Sequence, residues 1–170
     1  MKKSLLFMLV SAAVLSASGM KPSNMDVYNF NIHFGKTDGY TSTGFYMGAE
    51  KFFTDRKKAV SVDYYAGLKS VDIKGNALFA EIGVKPSYMY PLTSKGTVMA
   101  QAGINIKTLF RIDSGNQDGA GIGTGISANL NYMPLNTYWS LNIGGGWNYI
   151  FAKGGNYNER YINTGIKLSF

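Results

Sequence analysis

The sequence predicts an all-β protein, an eight-stranded antiparallel up-and-down transmembrane β-barrel. Apolar and polar residues alternate with a period of two after residue 19, and the helical period of 3.6 residues is absent. Eight such segments occur, each of about ten residues, which is the length that a tilted strand needs to cross a bilayer. Their polar face is rich in Gly, Asn, Ser and Tyr, which suits a crowded barrel interior better than a water-exposed surface.

The composition excludes several functional classes. The 170 residues include no cysteine and one histidine, which excludes a disulfide scaffold and argues against zinc sites and most histidine-based catalysis. The formal net charge is +7, but a charge of this size indicates nucleic-acid binding only where it clusters. Phosphate-loop and dinucleotide motifs are also absent from the sequence. We therefore expect no cofactor, no metal ion and no nucleic-acid partner.

Residues 1–18 have the pattern of a secretory signal peptide. Lys2 and Lys3 precede an apolar stretch from Leu5 to Leu15, and small residues follow it up to Ser18. An apolar run of this length is too short to span a bilayer as a helix. We expect cleavage after Ser18 and a barrel domain over residues 19–170.

The first four alternating segments each present one apolar face. Their apolar residues are Tyr28, Phe30, Ile32 and Phe34; Phe45, Met47, Ala49 and Phe53; Val60, Val62, Tyr64, Ala66 and Leu68; and Leu78, Ala80, Ile82, Val84, Pro86, Tyr88 and Tyr90. The residues between them are mostly Asn, Ser, Gly and charged residues. Lys51 alone interrupts the apolar face of the second segment, near a strand end where a long side chain can reach the membrane interface.

The last four segments continue the same pattern to the end of the chain. Their apolar residues are Val98, Ala100, Ala102, Ile104, Ile106 and Phe110; Ile122, Ile126, Ala128, Leu130 and Tyr132; Trp139, Leu141, Ile143, Trp147, Tyr149 and Phe151; and Ile162, Ile166, Leu168 and Phe170. Short turns are expected at 54–58, 91–96 and 134–136, and longer loops at 36–42, 69–77, 112–119 and 152–160. In outer-membrane barrels short turns face the periplasm, so both termini are expected there.

Aromatic residues on the apolar face are placed as two interfacial belts would require. Trp139 and Trp147 share one face, and eight residues of tilted strand separate them by about 20 Å along the barrel axis. This spacing is close to the height of the apolar band between two aromatic girdles. The expected girdle also includes Tyr28, Tyr88, Tyr90, Tyr132 and Phe170 at one end, and Phe110, Tyr149 and Phe151 at the other.

The C-terminus carries a second indication of a membrane barrel. Asn163, Gly165, Leu168 and Phe170 resemble the signal by which the outer-membrane assembly machinery recognises its substrates. With this signal and its architecture, the whole mature chain resembles the small OmpA/OmpX-type outer-membrane barrels. We expect a monomeric or weakly associated protein in the outer membrane of a Gram-negative-type bacterium. Its implied partners are outer-membrane lipid, lipopolysaccharide and, during biogenesis, the barrel assembly machinery.

Charged residues on the polar face are expected to form a network in the lumen. These residues are Glu50, Asp63, Glu81, Lys85, Lys107, Arg111 and Lys167. An eight-stranded barrel is barely wide enough for its own side chains, so the charges must be paired or hydrated. Two interpretations remain open, a structural ion-pair plug and a gate in which Glu81, Lys85 and Lys107 exchange partners.

Hairpin geometry suggests which of these charges meet. A turn centred near Ser94 places Glu81 opposite Lys107 and Met89 opposite Met99. The hairpin before it brings Glu50 near Asp63, two like charges that need a neighbouring cation, for which Lys85 is the candidate.

The predicted function is a structural or surface-interaction role in the cell envelope. The alternative is a narrow porin-like channel for ions or small solutes. A third possibility is a lipid A-modifying enzyme, because some barrels of this type act on lipid A with His, Ser and a carboxylate. Only His33 could serve as the base, with Asp38 and Ser42 near it in the sequence. A lone histidine between polar residues is more typical of a hydrogen-bonded lumen residue, so no catalytic residue is predicted.

Overall fold

The computed structural model describes residues 21–55, 58–73, 77–113, 120–153 and 155–170. These residues form eight antiparallel strands that close into one barrel, which confirms the predicted fold class. The strands are β1 (Lys21–Thr37), β2 (Tyr40–Asp55), β3 (Lys58–Val71), β4 (Ala77–Pro91), β5 (Val98–Arg111), β6 (Gly121–Tyr132), β7 (Trp139–Ala152) and β8 (Tyr157–Ser169). The expected signal peptide and its cleavage site lie outside the described residues.

Each strand pairs with its two neighbours, and β1 closes the barrel against β8. The closing ladder runs from Val27 opposite Ser169 to Thr37 opposite Glu159. No strand edge is left unpaired along this seam. Because the strand number is even, the start of β1 and the end of β8 lie at the same end of the barrel. We call this the terminal end, and the opposite end, which carries the β1–β2 link, the loop end.

The two faces of the sheet differ sharply in polarity. Along β6, Ile122, Ile126 and Leu130 point outward and are 48–63% exposed, whereas Ser127 and Asn129 point inward and are both 7% exposed. The other strands show the same tendency, with large apolar side chains outside and polar ones inside. A continuous apolar exterior around a polar lumen is the arrangement of a membrane-spanning barrel.

The described residues contain no helix that is long and apolar enough to cross a membrane.

The β1–β2 link is a tight turn, and the expectation of a long loop over 36–42 is wrong. Asp38 and Gly39 have φ values of 51° and 88°, close to those of a type I′ two-residue hairpin. Asp-Gly is a common pair at these positions because both central residues need positive φ. The strands therefore continue to Thr37 and Tyr40. The amide of Asp38 also donates to the carbonyl of Asn158 at 2.7 Å.

Strand extension shortens two other expected loops. β3 continues to Val71 and β8 begins at Tyr157, so parts of 69–77 and 152–160 belong to the sheet. The β5–β6 link is the longest connection, but most of it lies outside the described residues. Loop length consequently distinguishes the two ends less than the sequence predicted.

The β4–β5 hairpin is shifted by two residues from the predicted register. Glu81 lies opposite Leu109, Lys107 opposite Gly83, and Met89 opposite Gln101 rather than Met99. The link sets this register: Leu92 donates its amide to the carbonyl of Val98 at 2.8 Å, which centres the turn on Lys95 instead of Ser94.

The β2–β3 hairpin places Glu50 opposite Asp63, as predicted.

Candidate functional site

The lumen is the candidate functional site, and inward side chains fill it in successive layers. From the terminal end these are an apolar cup, a first charged cluster, a layer of tyrosine and histidine, a second charged cluster and an apolar cap. The cup is lined by Val27, Phe52, Ala59, Met89, Met99 and Met133. The period-two alternation produces this arrangement, because every second residue of each strand points inward.

The first charged cluster separates two neighbouring carboxylates by giving each its own cation. Lys167 Nζ lies 2.7 Å from Glu50 Oε2, and Lys85 Nζ lies 3.3 Å from Asp63 Oδ2. Gln101 Nε2 donates to Glu50 Oε1 at 2.8 Å. The like charges on the β2–β3 hairpin are thus each compensated by a cation from another strand, and Lys85 has the role that the sequence suggested.

The second charged cluster is a closed ring of four residues, Lys69, Glu81, Lys107 and Glu159, which we call the ion-pair ring. Lys69 Nζ lies 2.7 Å from Glu81 Oε1 and 2.7 Å from Glu159 Oε1. Lys107 Nζ lies 3.0 Å from Glu81 Oε2 and also contacts Glu159 Oε2. All four side chains are at most 4% exposed. Two positive and two negative charges balance, so burial leaves no formal charge uncompensated.

Glu81 and Lys107 meet despite the shifted register. They are diagonal neighbours in the β4–β5 ladder, since the residue opposite Glu81 is Leu109. Diagonal residues remain within reach of long side chains on one face of an antiparallel pair. The ion pair that the sequence suggested is therefore present in a different geometry.

An aromatic layer lies between the two charged clusters. The His33 ring stacks on Tyr161 with a centroid distance of 4.5 Å and an interplanar angle of 3°, and it contacts Tyr46 on its other side at 4.1 Å. The Tyr46 hydroxyl donates to Glu81 Oε2 at 2.9 Å, which links this layer to the ion-pair ring. A polar cavity of about 30 Å³ lies beside these rings, enough for one or two water molecules.

An apolar cap covers the ion-pair ring at the loop end. Its members are the inward residues Val71, Ala77, Phe79, Leu109 and Ile150. Four of them are fully buried and the fifth is 8% exposed. The cap separates the charged layer from the loop-end surface, so the ring is shielded from solvent on that side.

Arg111 is not part of the lumen network, contrary to prediction. It is the last residue of β5 and is exposed at the loop end. Its Nε donates to Asp113 Oδ1 at 2.8 Å, and this hydrogen bond holds the pKa of the Asp113 carboxyl below its usual value. Arg111 follows the cap residue Leu109 at the last position of β5, so its side chain lies beyond the cap at the rim, where it pairs with Asp113.

Two members of the ion-pair ring were not predicted from the sequence. Lys69 and Glu159 fall in the expected loops 69–77 and 152–160, whereas the structure places them within β3 and β8. A signal was present: Lys69 continues the inward alternation of Asp63, and Glu159 precedes inward Asn163 by an even number of residues. Extending each strand pattern past the apparent loop boundary would have found both.

The expected girdle residues lie on the outer face. Trp139 and Trp147 of β7 are 38% and 42% exposed. Tyr88, Tyr90 and Tyr132 are exposed near the terminal end, and Tyr149 is half-buried in the other half of the barrel. Tyr28 contacts Phe170 edge-to-face, with a centroid distance of 6.1 Å.

The expected assembly-signal residues lie on or just after β8. Asn163 points into the lumen and donates to Asn142 Oδ1 at 3.1 Å. Gly165 lies opposite Asn31, and Leu168 lies opposite Trp139 on the outer face. Phe170 follows the strand and is exposed.

The structure does not assemble a catalytic triad around His33. Asp38 is five residues along the chain, about 16 Å of extended strand away. Ser42 is buried and lies opposite Gly35, not His33. Across the described ranges, no group of three or more His, Cys, Asp or Glu side chains could hold a metal ion.

Neither a protein-family model nor a curated protein matches the chain, but solved structures do. Neisserial surface protein A is similar with a TM-score of 0.62 and 17% identity, covering 88% of this chain and 99% of its own. The outer membrane enzyme PagL has a TM-score of 0.55 and 13% identity, and the match covers 82% of this chain and 98% of PagL. Ail, the attachment invasion locus protein of Yersinia pestis, has a TM-score of 0.51 and 12% identity, and the match covers 86% of this chain and 97% of Ail. The chain therefore has the fold of the small OmpA/OmpX-type eight-stranded outer-membrane barrels.

Proposed function

We propose that this protein is an integral outer-membrane barrel with a closed lumen, which acts through its outer surface and rim as a structural and lipopolysaccharide-contacting element. The observation that carries the proposal is the ion-pair ring beneath the apolar cap. In the proposed orientation both termini lie on the periplasmic side of the membrane, and the loop end faces the exterior of the cell. The outer-membrane location is supported by the apolar exterior and by the similar fold of known outer-membrane proteins.

A channel function is disfavoured by the way the lumen is filled. Every carboxylate oxygen of the ring lies within reach of an ammonium group, and Lys85, a proposed exchange partner, is engaged with Asp63 instead. Opening a water path would require the ring to break and the cap to move together. Separating buried ion pairs leaves uncompensated charges at high energetic cost.

Single-channel recording in a planar bilayer tests whether the lumen is closed. We expect no discrete conductance steps from the refolded mature protein, and none from Lys107→Gln, because the cap still closes the lumen. A heat-dependent change of gel mobility verifies folding before each recording. Discrete steps whose amplitude changes in Lys107→Gln would establish the channel alternative instead.

Catalysis on lipid A is disfavoured by the surroundings of His33. The enzyme PagL shows that this fold is compatible with catalysis. In this chain, however, the single histidine is held between two tyrosine rings. A nucleophile and an orienting carboxylate must both lie within hydrogen-bond reach of a catalytic base, and neither Asp38 nor Ser42 is placed in that way.

The loop-end rim offers a specific contact for phosphate groups of lipopolysaccharide. Lys36 and Arg160 lie directly opposite each other on β1 and β8, and both are exposed on the outward face. Trp147, also outward, lies opposite Arg160. Like charges in a directly opposed pair destabilise a sheet, and a bound anion removes that penalty. We call this pair the basic rim pair.

Replacing both residues of the basic rim pair tests the lipopolysaccharide contact. We expect added lipopolysaccharide to raise the free energy of unfolding of the wild type. In the double variant Lys36→Gln/Arg160→Gln this increase should be smaller by about 2 kcal/mol, because each basic residue at an anionic surface contributes about 1 kcal/mol. Unfolding titrations in vesicles with and without lipopolysaccharide measure the gain.

Lys95→Gln is the matched control for this experiment, because Lys95 is exposed in the β4–β5 link at the terminal end. Lipopolysaccharide should raise the free energy of unfolding of Lys95→Gln as much as that of the wild type. An equal gain in the double variant would refute the assignment of the rim pair.

A further inference from the structure

The apolar outer surface is tall on one half of the barrel. On β7 every outward residue from Trp139 to Phe151 is apolar or glycine, a height of about 30 Å along the barrel axis for a strand tilted by about 40°. On β4 the outward residues are apolar from Leu78 to Tyr90, over the same height. The two strands between them, β5 and β6, each carry one outward threonine in an otherwise apolar row. We call β4–β7 the tall face.

The apolar outer surface is shorter on the other half, which consists of β8, β1, β2 and β3. On β1 the outward apolar residues extend from Tyr28 to Phe34, about 15 Å along the axis. On β2 they extend from Phe45 to Phe53 and include Lys51, about 20 Å. The apolar band of a typical outer-membrane barrel is about 25 Å tall. This half, which we call the short face, is therefore lower than a typical band.

Polar and basic residues border the short face at the loop end. Lys36 and Arg160, the basic rim pair, are the outward residues that come next after Phe34 on β1 and before Ile162 on β8. On β2 the corresponding outward positions are threonines. A cation that faces lipid destabilises a barrel strongly at the bilayer midplane and little at the interface. Cations also attract anionic head groups, so the rim pair favours head groups close to this edge.

Tilting the barrel does not reconcile the two faces with a bilayer of uniform thickness. A tilt moves both edges of one face in the same direction and leaves the height of that face nearly unchanged. An apolar surface that is too short for the bilayer is accommodated by thinning the bilayer or by association with another protein. A two-fold contact between short faces would bring the basic rim pairs of two copies together, and this repulsion favours thinning.

We propose that the short face contacts a locally thinned bilayer, in which head groups lie closer to the membrane centre beside the β1–β8 seam than beside the tall face. Thinning lets the interface reach the basic rim pair while acyl chains still cover exposed Phe30 and Ile32. The inference rests on the membrane-spanning barrel and not on the contact with lipopolysaccharide. Vesicles of phosphatidylcholine alone therefore test it separately.

A nitroxide scan measures the local bilayer thickness on each face. The chain contains no cysteine, so each introduced cysteine carries a single label. Outward positions along β1 and β7 are labelled one at a time, and collisions with oxygen and with a water-soluble nickel chelate are compared by electron paramagnetic resonance. We expect the stretch protected from nickel to cover about half as many residues on β1 as on β7.

Two outcomes of the scan would contradict the proposal. Protected stretches of equal length on β1 and β7 would show that the bilayer has the same thickness on both faces. Spin–spin coupling between copies labelled at Ile32, which is exposed on the short face, would identify a second copy of this chain as its partner instead of thinned lipid.

Extending the apolar surface of β2 tests the mismatch independently. Thr41→Leu/Thr43→Leu raises its height by about 10 Å, because both threonines are outward and exposed. Replacing dilauroyl by the thicker dipalmitoleoyl phosphatidylcholine should increase the unfolding equilibrium constant of the wild type. In the double variant we expect this increase to be about tenfold smaller.

Thr108→Leu/Thr124→Leu is the matched control, since these threonines are the outward ones of β5 and β6 on the tall face. It should respond to lipid thickness as the wild type does. Equal responses of the wild type and both double variants would show that the short face imposes no mismatch, and would overturn the proposal.

Discussion

Replacing Lys107 by methionine is expected to lower the free energy of unfolding of the barrel by about 3–5 kcal/mol. Lys107 supplies one of the two ammonium groups of the ion-pair ring and contacts both Glu81 and Glu159. Without it, two buried carboxylates share the single cation of Lys69 beneath an apolar cap. The expected loss is large because water cannot readily replace the missing charge there. Reversible urea titration of the refolded barrel in lipid vesicles measures it.

Two further variants separate this effect from loss of packing. Arg111→Met removes an exposed cation from the same strand, and should cost at most about 1 kcal/mol, as is usual for surface ion pairs. Adding Glu159→Gln to Lys107→Met restores equal numbers of charges in the ring and should recover part of the loss. If Lys107→Met and Arg111→Met cost the same, the ring contributes no stability of its own.

Replacing Gly67 by alanine is expected to destabilise the barrel by about 2 kcal/mol, the middle of the range for overpacking. A Cβ atom at Gly67 would lie 2.5 Å from the carbonyl oxygen of Phe45 and 2.8 Å from Cγ of Tyr46. Neither atom can move easily, because one belongs to the backbone and the other is at the base of a buried ring. Unfolding titration of the variant measures this loss.

Gly123 provides the matched control for this substitution. Its added Cβ would meet only side-chain atoms of Ile150 and Lys107, at 3.1 Å, so Gly123→Ala should cost less than about 1 kcal/mol. In the Tyr46→Ala background, Gly67→Ala should lower the free energy of unfolding by less than it does in the wild type. The two positions are in contact, so the effects of their substitutions are not additive. An unchanged cost in that background would show that the Tyr46 ring does not restrict this site.

The structure also explains why a polar lumen need not be a pore. Among the described residues, the charged side chains inside the lumen lie in two clusters, and each is internally compensated: Lys167 with Glu50 and Lys85 with Asp63 in one, the ion-pair ring in the other. In both clusters each carboxylate already has an ammonium group beside it, so none of these lumen charges is left uncompensated. At the loop end, the apolar cap separates the ion-pair ring from the surface.

The alternation in the sequence is enough to assign most strand residues to the lipid face or to the lumen. Period-two alternation assigns each strand residue to a face, and this assignment was correct for Glu50, Asp63, Glu81, Lys107 and Lys167, all buried inside the barrel. It was wrong at Arg111, where the strand ends, and it missed Lys69 and Glu159 where strands continue past an apparent loop boundary. Alternation can continue past an apparent loop boundary, but it does not fix the residue at which a strand stops, which depends on pairing with its neighbours.

Which inward charges meet depends on strand register and on closure of the barrel. A strand shifted by two residues keeps every side chain on the same face, so the alternation cannot distinguish the observed pairing of Glu81 with Leu109 from the predicted pairing with Lys107. The ion-pair ring takes its members from β3, β4, β5 and β8. Lys69 and Glu159 are 90 residues apart in the chain, and they meet because closure of the barrel directs both side chains into one narrow lumen.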